Sequence, residues 1–128
     1  MVIDTSVIMA ILLEEADAEH YARRIEEADV RLVSAVNILE AGMVAESRAG
    51  EPGARDLDLL LLRAQIQVAP FDDEQASLAR RAFRRYGKGR HAAALNLSDC
   101  AAYALSKSTG ESLLFKGDDF ARTDVSRA

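Results

Sequence analysis

Apolar residues open the chain and stop on a carboxylate, with Met1-Val2-Ile3 followed at once by Asp4, Thr5 and Ser6. An apolar run closed by small polar residues predicts a short buried strand that turns directly into a helix. Val7, Ile8, Ile11 and Leu12 recur at helical spacing and predict a helix over 5–13, while Ala18, Tyr21, Ala22 and Ile25 mark one face of a more polar helix over 14–28. Leu32-Val33 reads as a very short second strand, and Ser34 is a good N-cap for a helix reaching about residue 48. Gly50, Pro52 and Gly53 break the chain ahead of a helix over 54–64, whose Leu57, Leu60 and Leu61 face the core. Leu59 and Leu62 widen that stripe, which packing explains and which a dimer or a bound partner would also use. Ile66-Gln67-Val68-Ala69, stopped by Pro70, predicts a third strand, and Asp72 or Asp73 caps a helix through Tyr86. Asn96 or Ser98 caps the next helix, Leu113-Leu114-Phe115 is a fourth strand, and the tail 121–128 holds at most a short turn or edge strand.

Strands alternating with helices favour parallel pairing through right-handed crossovers, so the expected fold is a three-layer α/β/α arrangement around a central parallel sheet of four or five strands. The length fits one domain over 1–128. No stretch of about 18 residues lacks charge, which argues against a membrane span. The apolar start carries no basic leader. Cys100 is the only cysteine, excluding an internal disulfide and a thiolate metal cage, and a reducing cytoplasm is the expected home.

The net charge of -5 excludes a bulk electrostatic nucleic-acid binder. The charge is uneven, however: Arg80, Arg81, Arg84, Arg85, Lys88 and Arg90 crowd one region, followed by His91. Arg80 and Arg84 lie four apart, as do Arg81 and Arg85, so they form two adjacent rows on a helix. The glycines of Gly87-Lys88-Gly89 let a backbone approach a phosphate closely. A solvated charged face accounts for the strip equally well. The fixed spacing of a Walker loop is absent, and His20 reads as a surface histidine.

The acidic residues carry the chemistry. Each has a plain structural reading: Asp4 as a helix cap, Asp99 as a first-turn carboxylate favoured by the helix dipole, and Glu40 as half of a buried ion pair or a side chain reaching water. In a parallel sheet, strand tips bring Asp4 and Asp118-Asp119 to one edge, and the helices bearing Glu40 and Asp99 begin near it. Carboxylates gathered in one cleft raise one another's pKa unless a cation neutralises them. Oxygen donors without His or Cys suit magnesium or manganese.

Val2-Ile3-Asp4-Thr5-Ser6, Ser34 with Asn37-Ile38-Leu39-Glu40, Leu97-Ser98-Asp99-Cys100 and Leu113-Leu114-Phe115-Lys116-Gly117-Asp118-Asp119-Phe120 together resemble the PIN-domain ribonucleases, and among them the VapC-type toxins of bacterial toxin-antitoxin pairs. The Gly87-Lys88-Gly89-Arg90-His91 segment is similar to one subgroup of these toxins, and the matches span nearly the whole chain in family order. The resemblance implies that Asp4 and Asp99 hold a magnesium ion, directly or through water, with Glu40 completing the acidic cluster. Many relatives place the fourth acidic residue two positions after a strand-ending Thr, whereas Phe115-Lys116-Gly117 interrupts that pattern here. Asp118 is the expected fourth catalytic residue, Asp119 is expected to hold the loop, and Ser6 to hydrogen-bond the site from behind.

It further implies magnesium-dependent hydrolysis of RNA by an activated water, with Arg80, Arg81, Arg84, Arg85, Lys88, Arg90 and His91 gripping a folded RNA such as a tRNA. A VapB-type antitoxin and a toxin homodimer are the implied partners. The alternatives are a DNA-directed nuclease of the same fold and a non-catalytic nucleic-acid-binding module. A haloacid-dehalogenase phosphatase needs a second Asp where Ser6 stands. A receiver domain needs paired acidic residues before its phospho-acceptor strand, and Lys116 fits its later lysine only loosely.

Overall fold

A computed structural model describes residues 1–128. The strands β1 (Val2–Ile3), β2 (Leu32–Ser34), β3 (Gln67–Ala69) and β4 (Leu113–Leu114) form one parallel sheet in the order β3-β2-β1-β4. The helices are α1 (Thr5–Leu12), α2 (Ala18–Glu26), α3 (Ala35–Arg63), α4 (Asp73–Tyr86) and α5 (Leu97–Thr109), with a 3-10 turn at Phe120–Arg122.

Side chains alternate across a strand, and the short strands use this fully. Val2 and Leu113 pack into a core cluster with α4 and α5, while Ile3, Val33 and Leu114 pack into a second cluster with α1, α2 and α3. One helical layer therefore covers each sheet face, giving the three layers expected. Val2, Ile3, Val33 and Leu113 are completely buried, each contributing roughly 1.5–3 kcal/mol by leaving water. β3 is an edge strand. Its Val68 is exposed, and the buried residue of that segment is Ile66, just before the strand.

The chain runs outward from β1 through β2 to β3, then crosses back to place β4 on the other side of β1. Strand order reverses at β1, and a crevice forms at such a point beyond the carboxyl ends of the strands. The segments leaving β1, β2 and β4 all begin there. The tail adds one further parallel bridge, Leu113 to Arg127, and is clamped where Tyr103 Oη donates to Asp124 Oδ1 at 2.6 Å.

One helix boundary differs from the sequence pattern. The polar helix expected over 14–28 is shorter, because Glu14 adopts φ 51° and the following residues form a loop whose Glu15 and Asp17 bind Lys116. The break expected at Gly50-Pro52-Gly53 is present: two helical arms, together spanning Ala35–Arg63, meet at a kink at Gly50, whose backbone is non-helical at φ 64°. The two arms fold back on each other, since Gly42 faces Leu57 and a Cβ at Gly53 would meet Ala45 O at 2.4 Å. Overpacking a close contact of this kind typically costs 1–3 kcal/mol. Gly53→Ala is therefore expected to destabilise the protein by about 1–3 kcal/mol in urea unfolding, and an unchanged midpoint would contradict the close approach of the arms.

Candidate active site

β1 ends at Asp4, which is only 4% exposed. Its Oδ2 accepts from Ser6 N at 3.0 Å, capping α1, so the plain reading of Asp4 as a cap is correct as far as it goes. Its Oδ1 faces a second donor, Asn37 Nδ2, at 3.4 Å. Asn37 is wholly buried in the first turn of α3. The same Nδ2 donates to Thr5 Oγ1 at 2.9 Å and to Ser98 O at 3.3 Å, so one amide ties together the starts of α1, α3 and α5. Asn37 Oδ1 has no hydrogen-bond partner.

Glu40 lies one turn further along α3 and accepts from Ser98 Oγ at 2.7 Å. Ser98 and Asp99 open α5 in a capping box: Asn96 Oδ1 accepts from Asp99 N at 2.9 Å, and Asp99 Oδ2 accepts from Asn96 N at 3.0 Å. The cap that explains Asp99 locally also fixes its carboxylate beside the cluster. Asp4, Glu40 and Asp99 take part in none of the chain's ion pairs.

The electrostatics record their proximity. Burial pushes the Asp4 carboxyl up to about 6; the hydrogen bonds from Ser6 oppose this, and the charges of Asp99 and Glu40 add to it. Burial also raises Asp99, opposed by the Asn96 amide and reinforced by Asp119 and Glu40. It is therefore Asp119, expected to hold the loop, whose charge acts on Asp99. Asp118 and Asp119 are both exposed on the loop after β4. In that loop Lys116 N donates to Ser6 Oγ at 3.0 Å, and Gly117 turns the chain at φ 95°. The Lys116 ammonium is held by Glu15 and Asp17, which raises its pKa.

A groove of about 540 Å³ opens between α4 and the starts of α3 and α5. Its walls include Arg80, Phe83, Arg84 and Arg90 on the α4 side, and Val36, Leu97 and Cys100, neighbours in sequence of Asn37, Ser98 and Asp99, on the other. The basic strip thus divides. Arg80, Arg84 and Arg90 line the groove, whereas Arg85 lies 3.6 Å from Asp124 and over the Tyr86 ring. His91 Nδ1 accepts from Ala93 N at 3.0 Å, a local turn contact, and Arg81 and Lys88 are exposed outside the groove lining. Burial, with the charge of Asp99, pushes the Cys100 thiol up to about 11.

Residues 1–126 match the family described as the PIN domain. The chain belongs to that family. It is 53% identical over 125 residues to a Ribonuclease VapC from Mycolicibacterium smegmatis, covering 98% of this chain and 97% of that protein. It is 50% identical over 125 residues to Ribonuclease VapC30 of Mycobacterium tuberculosis, with 98% and 95% covered. Among solved structures, Mycobacterium tuberculosis VapC20, described as a Sarcin-Ricin loop cleaving toxin, superposes with a TM-score of 0.80 at 16% identity over 99% of this chain and 97% of that one. VapBC2 from Rickettsia felis, bound to a promoter DNA fragment, gives 0.75 at 13% identity over 98% and 94%. These two structures share the fold.

No three His, Cys, Asp or Glu side chains of this PIN domain form a ready-made cage. Magnesium does not require one, because it keeps several waters and is usually held by one or two carboxylates. The donor chemistry fits: carboxylates raised first by burial and then by one another's charge, an all-oxygen set, and hydrogen bonds only from neutral donors. Asn37 was visible in the sequence only as part of a motif, and Ser98 only as a possible cap. The signal for both was their placement beside acidic residues, three before Glu40 and one before Asp99.

Asn37→Ala is expected to cost about 1–3 kcal/mol, since it leaves buried acceptors without their donor; chemical unfolding measures this. Asp4 binds its proton more tightly folded than unfolded, so its contribution lowers stability as pH rises from about 4 to about 6, by roughly 3 kcal/mol at most. Urea titrations in EDTA across that window are expected to show this fall, and a smaller one for Asp4→Asn.

Proposed function

We propose that this PIN domain is a VapC-type endoribonuclease toxin that hydrolyses phosphodiester bonds in structured RNA with a bound magnesium or manganese ion. The observation that carries this reading is that the opening turns of α3 and α5 serve both a carboxylate cluster, in which Asp4 is buried and Glu40 and Asp99 are half-buried, and an arginine-lined groove walled by Val36, Leu97 and Cys100. Carboxylates alone would repel a phosphodiester. Arginines beside them hold its flanking phosphates and admit it to the cluster.

Asp4 and Asp99 would hold the ion, with Glu40 beside them and Asp119 taking the fourth acidic place in preference to Asp118. When bound, such an ion supplies Lewis acidity to the phosphoryl group and favours ionisation of a water. The protein does the rest. Asn37 and Ser6 hold the Asp4 carboxylate in one orientation, Ser98 does the same for Glu40, and the capping box fixes Asp99. Arg80 and Arg84, one turn apart on the groove wall, would hold phosphates of the bound strand.

The names of the relatives support ribonuclease activity, and the VapBC2 structure supports a VapB-type antitoxin as partner. The chemistry of water attack does not itself choose RNA over DNA, so that choice rests on the relatives. A tRNA is the proposed class of substrate, because unpaired bases on a folded scaffold suit a groove set beside the cluster. Exposed Leu39, Met43 and Leu62 on α3 offer surface for a homodimer or for the antitoxin. No helix of the chain is long and apolar enough to cross a membrane.

Purified protein incubated with total RNA and magnesium is expected to give discrete fragments, with none in EDTA. Asp99→Asn is expected to lower the rate at least about 100-fold. Cleavage that persists in EDTA, or equal cleavage by the variant, would remove the acidic cluster from the chemistry, and cleavage of single-stranded DNA alone would assign the activity to DNA.

A further inference from the structure

Arginines account for the rim of the groove but not for its apolar floor. Phe71, Phe83 and Leu97 are 36%, 41% and 80% exposed, although Ala79, Ala82 and Tyr86 of the same α4 are buried in the core. Phe83 is also fixed in place. A Cβ at Gly87 would meet two of its ring carbons at 2.4 and 2.7 Å, so the ring rests against the loop backbone, and glycine is required there for steric reasons. Arg90 stands over the ring at 5.4 Å. Arg80, Arg84 and Arg90 take part in none of the chain's ion pairs, in contrast to Arg85 on the neighbouring row.

A surface made only to hold phosphates needs no exposed aromatic floor, and a surface made only for an apolar partner needs no unpaired guanidinium groups. An unpaired nucleotide presents both a π-face and a negative backbone, and base stacking on aromatic rings is the recurrent way to bind single strands. The groove's volume of about 540 Å³ lies within the usual range for small-molecule sites. Its wall at Leu97 and Cys100 is carried by α5, the helix that also carries Ser98 and Asp99, so the groove and the cluster share one element.

We propose that the groove is a base-binding subsite, in which Phe83, backed by Gly87 and flanked by Leu97, receives one unpaired base next to the scissile bond while Arg80, Arg84 and Arg90 hold the adjoining phosphates. This rests on the ribonuclease reading and adds to it the requirement for an extruded base. It also predicts that a fully paired helix is a poor ligand.

The test is binding without cleavage. Full-length protein in EDTA is titrated with fluorescein-labelled oligoadenylate and oligouridylate decamers and with an abasic ribose-phosphate decamer of equal charge, read by anisotropy. The base-containing decamers are expected to bind about 5- to 150-fold more tightly than the abasic one. Phe83→Ala is expected to remove most of that difference without weakening the abasic decamer, Phe83→Tyr to restore it, and Arg84→Ala to weaken all three.

Equal binding of abasic and base-containing decamers, no binding of any, or an unchanged preference in Phe83→Ala would overturn the subsite. An acidic peptide of equal charge that binds more tightly than RNA and depends on Phe83 would instead assign the groove to a protein partner. Because no cleavage is measured, base-dependent binding alongside inactivity on total RNA would sink the ribonuclease reading alone, and active enzyme with base-independent binding would sink the subsite alone.

Discussion

A single side-chain amide holds the acidic crevice together. Asn37 Nδ2 faces Asp4 Oδ1, Thr5 Oγ1 and Ser98 O, and each of these belongs to a different arm of the site or to its anchor. Carboxylates placed this close drive their elements apart, and burial makes the repulsion stronger by removing the water that would screen it. A neutral donor at their centre opposes that separation without neutralising the charge. An arginine in its place would form an ion pair and compete with a bound cation, whereas an amide positions Asp4 without adding a charge. Ser98 acts in the same way on Glu40, and the Asn96 amide on Asp99.

The sheet sets where this can happen. With β1 between β2 and β4, the segments leaving three neighbouring strands rise from one edge, and the reversal of strand order leaves a crevice between them. β1 and β4 contribute only two residues each to the sheet, so pairing and burial hold them, not length. Val2 and Ile3 are each completely buried, in opposite core layers. The position of Asp4 is thus dictated by two of the best-buried side chains in the protein, which is how a titratable group can be kept in a costly environment.

The groove supplies the opposite charge without touching the cluster. α4 turns Arg80 and Arg84 into the groove and buries Ala82 and Tyr86, and the helical period separates these faces. The neighbouring row is spent on structure: Arg85 and Lys107 converge on Asp124 and, with Tyr103, fasten the C-terminal tail. Rows equivalent in the sequence therefore have different roles, because only one of them faces Leu97 and Cys100.

What the sequence determined by itself is local: which segments are strands, where caps lie, and which carboxylates follow them, because periodicity and capping act over a few residues. Asp4 and Asp99 stood out because one follows a strand and the other opens a helix, and Glu40 because it projects from a largely apolar helix face; the local contacts expected of Asp4 and Asp99 are present, and a capping carboxylate is also an oriented one. Tertiary structure alone decided what depends on distant partners. Lys116, held by Glu15 and Asp17, and Gly117, at positive φ, belong to the loop whose Asp119 charge raises Asp99. The fold-back at Gly50 and the division of the arginine rows were settled in the same way. Each turns on a contact made across many residues, and no local pattern encodes the direction from which such a contact arrives.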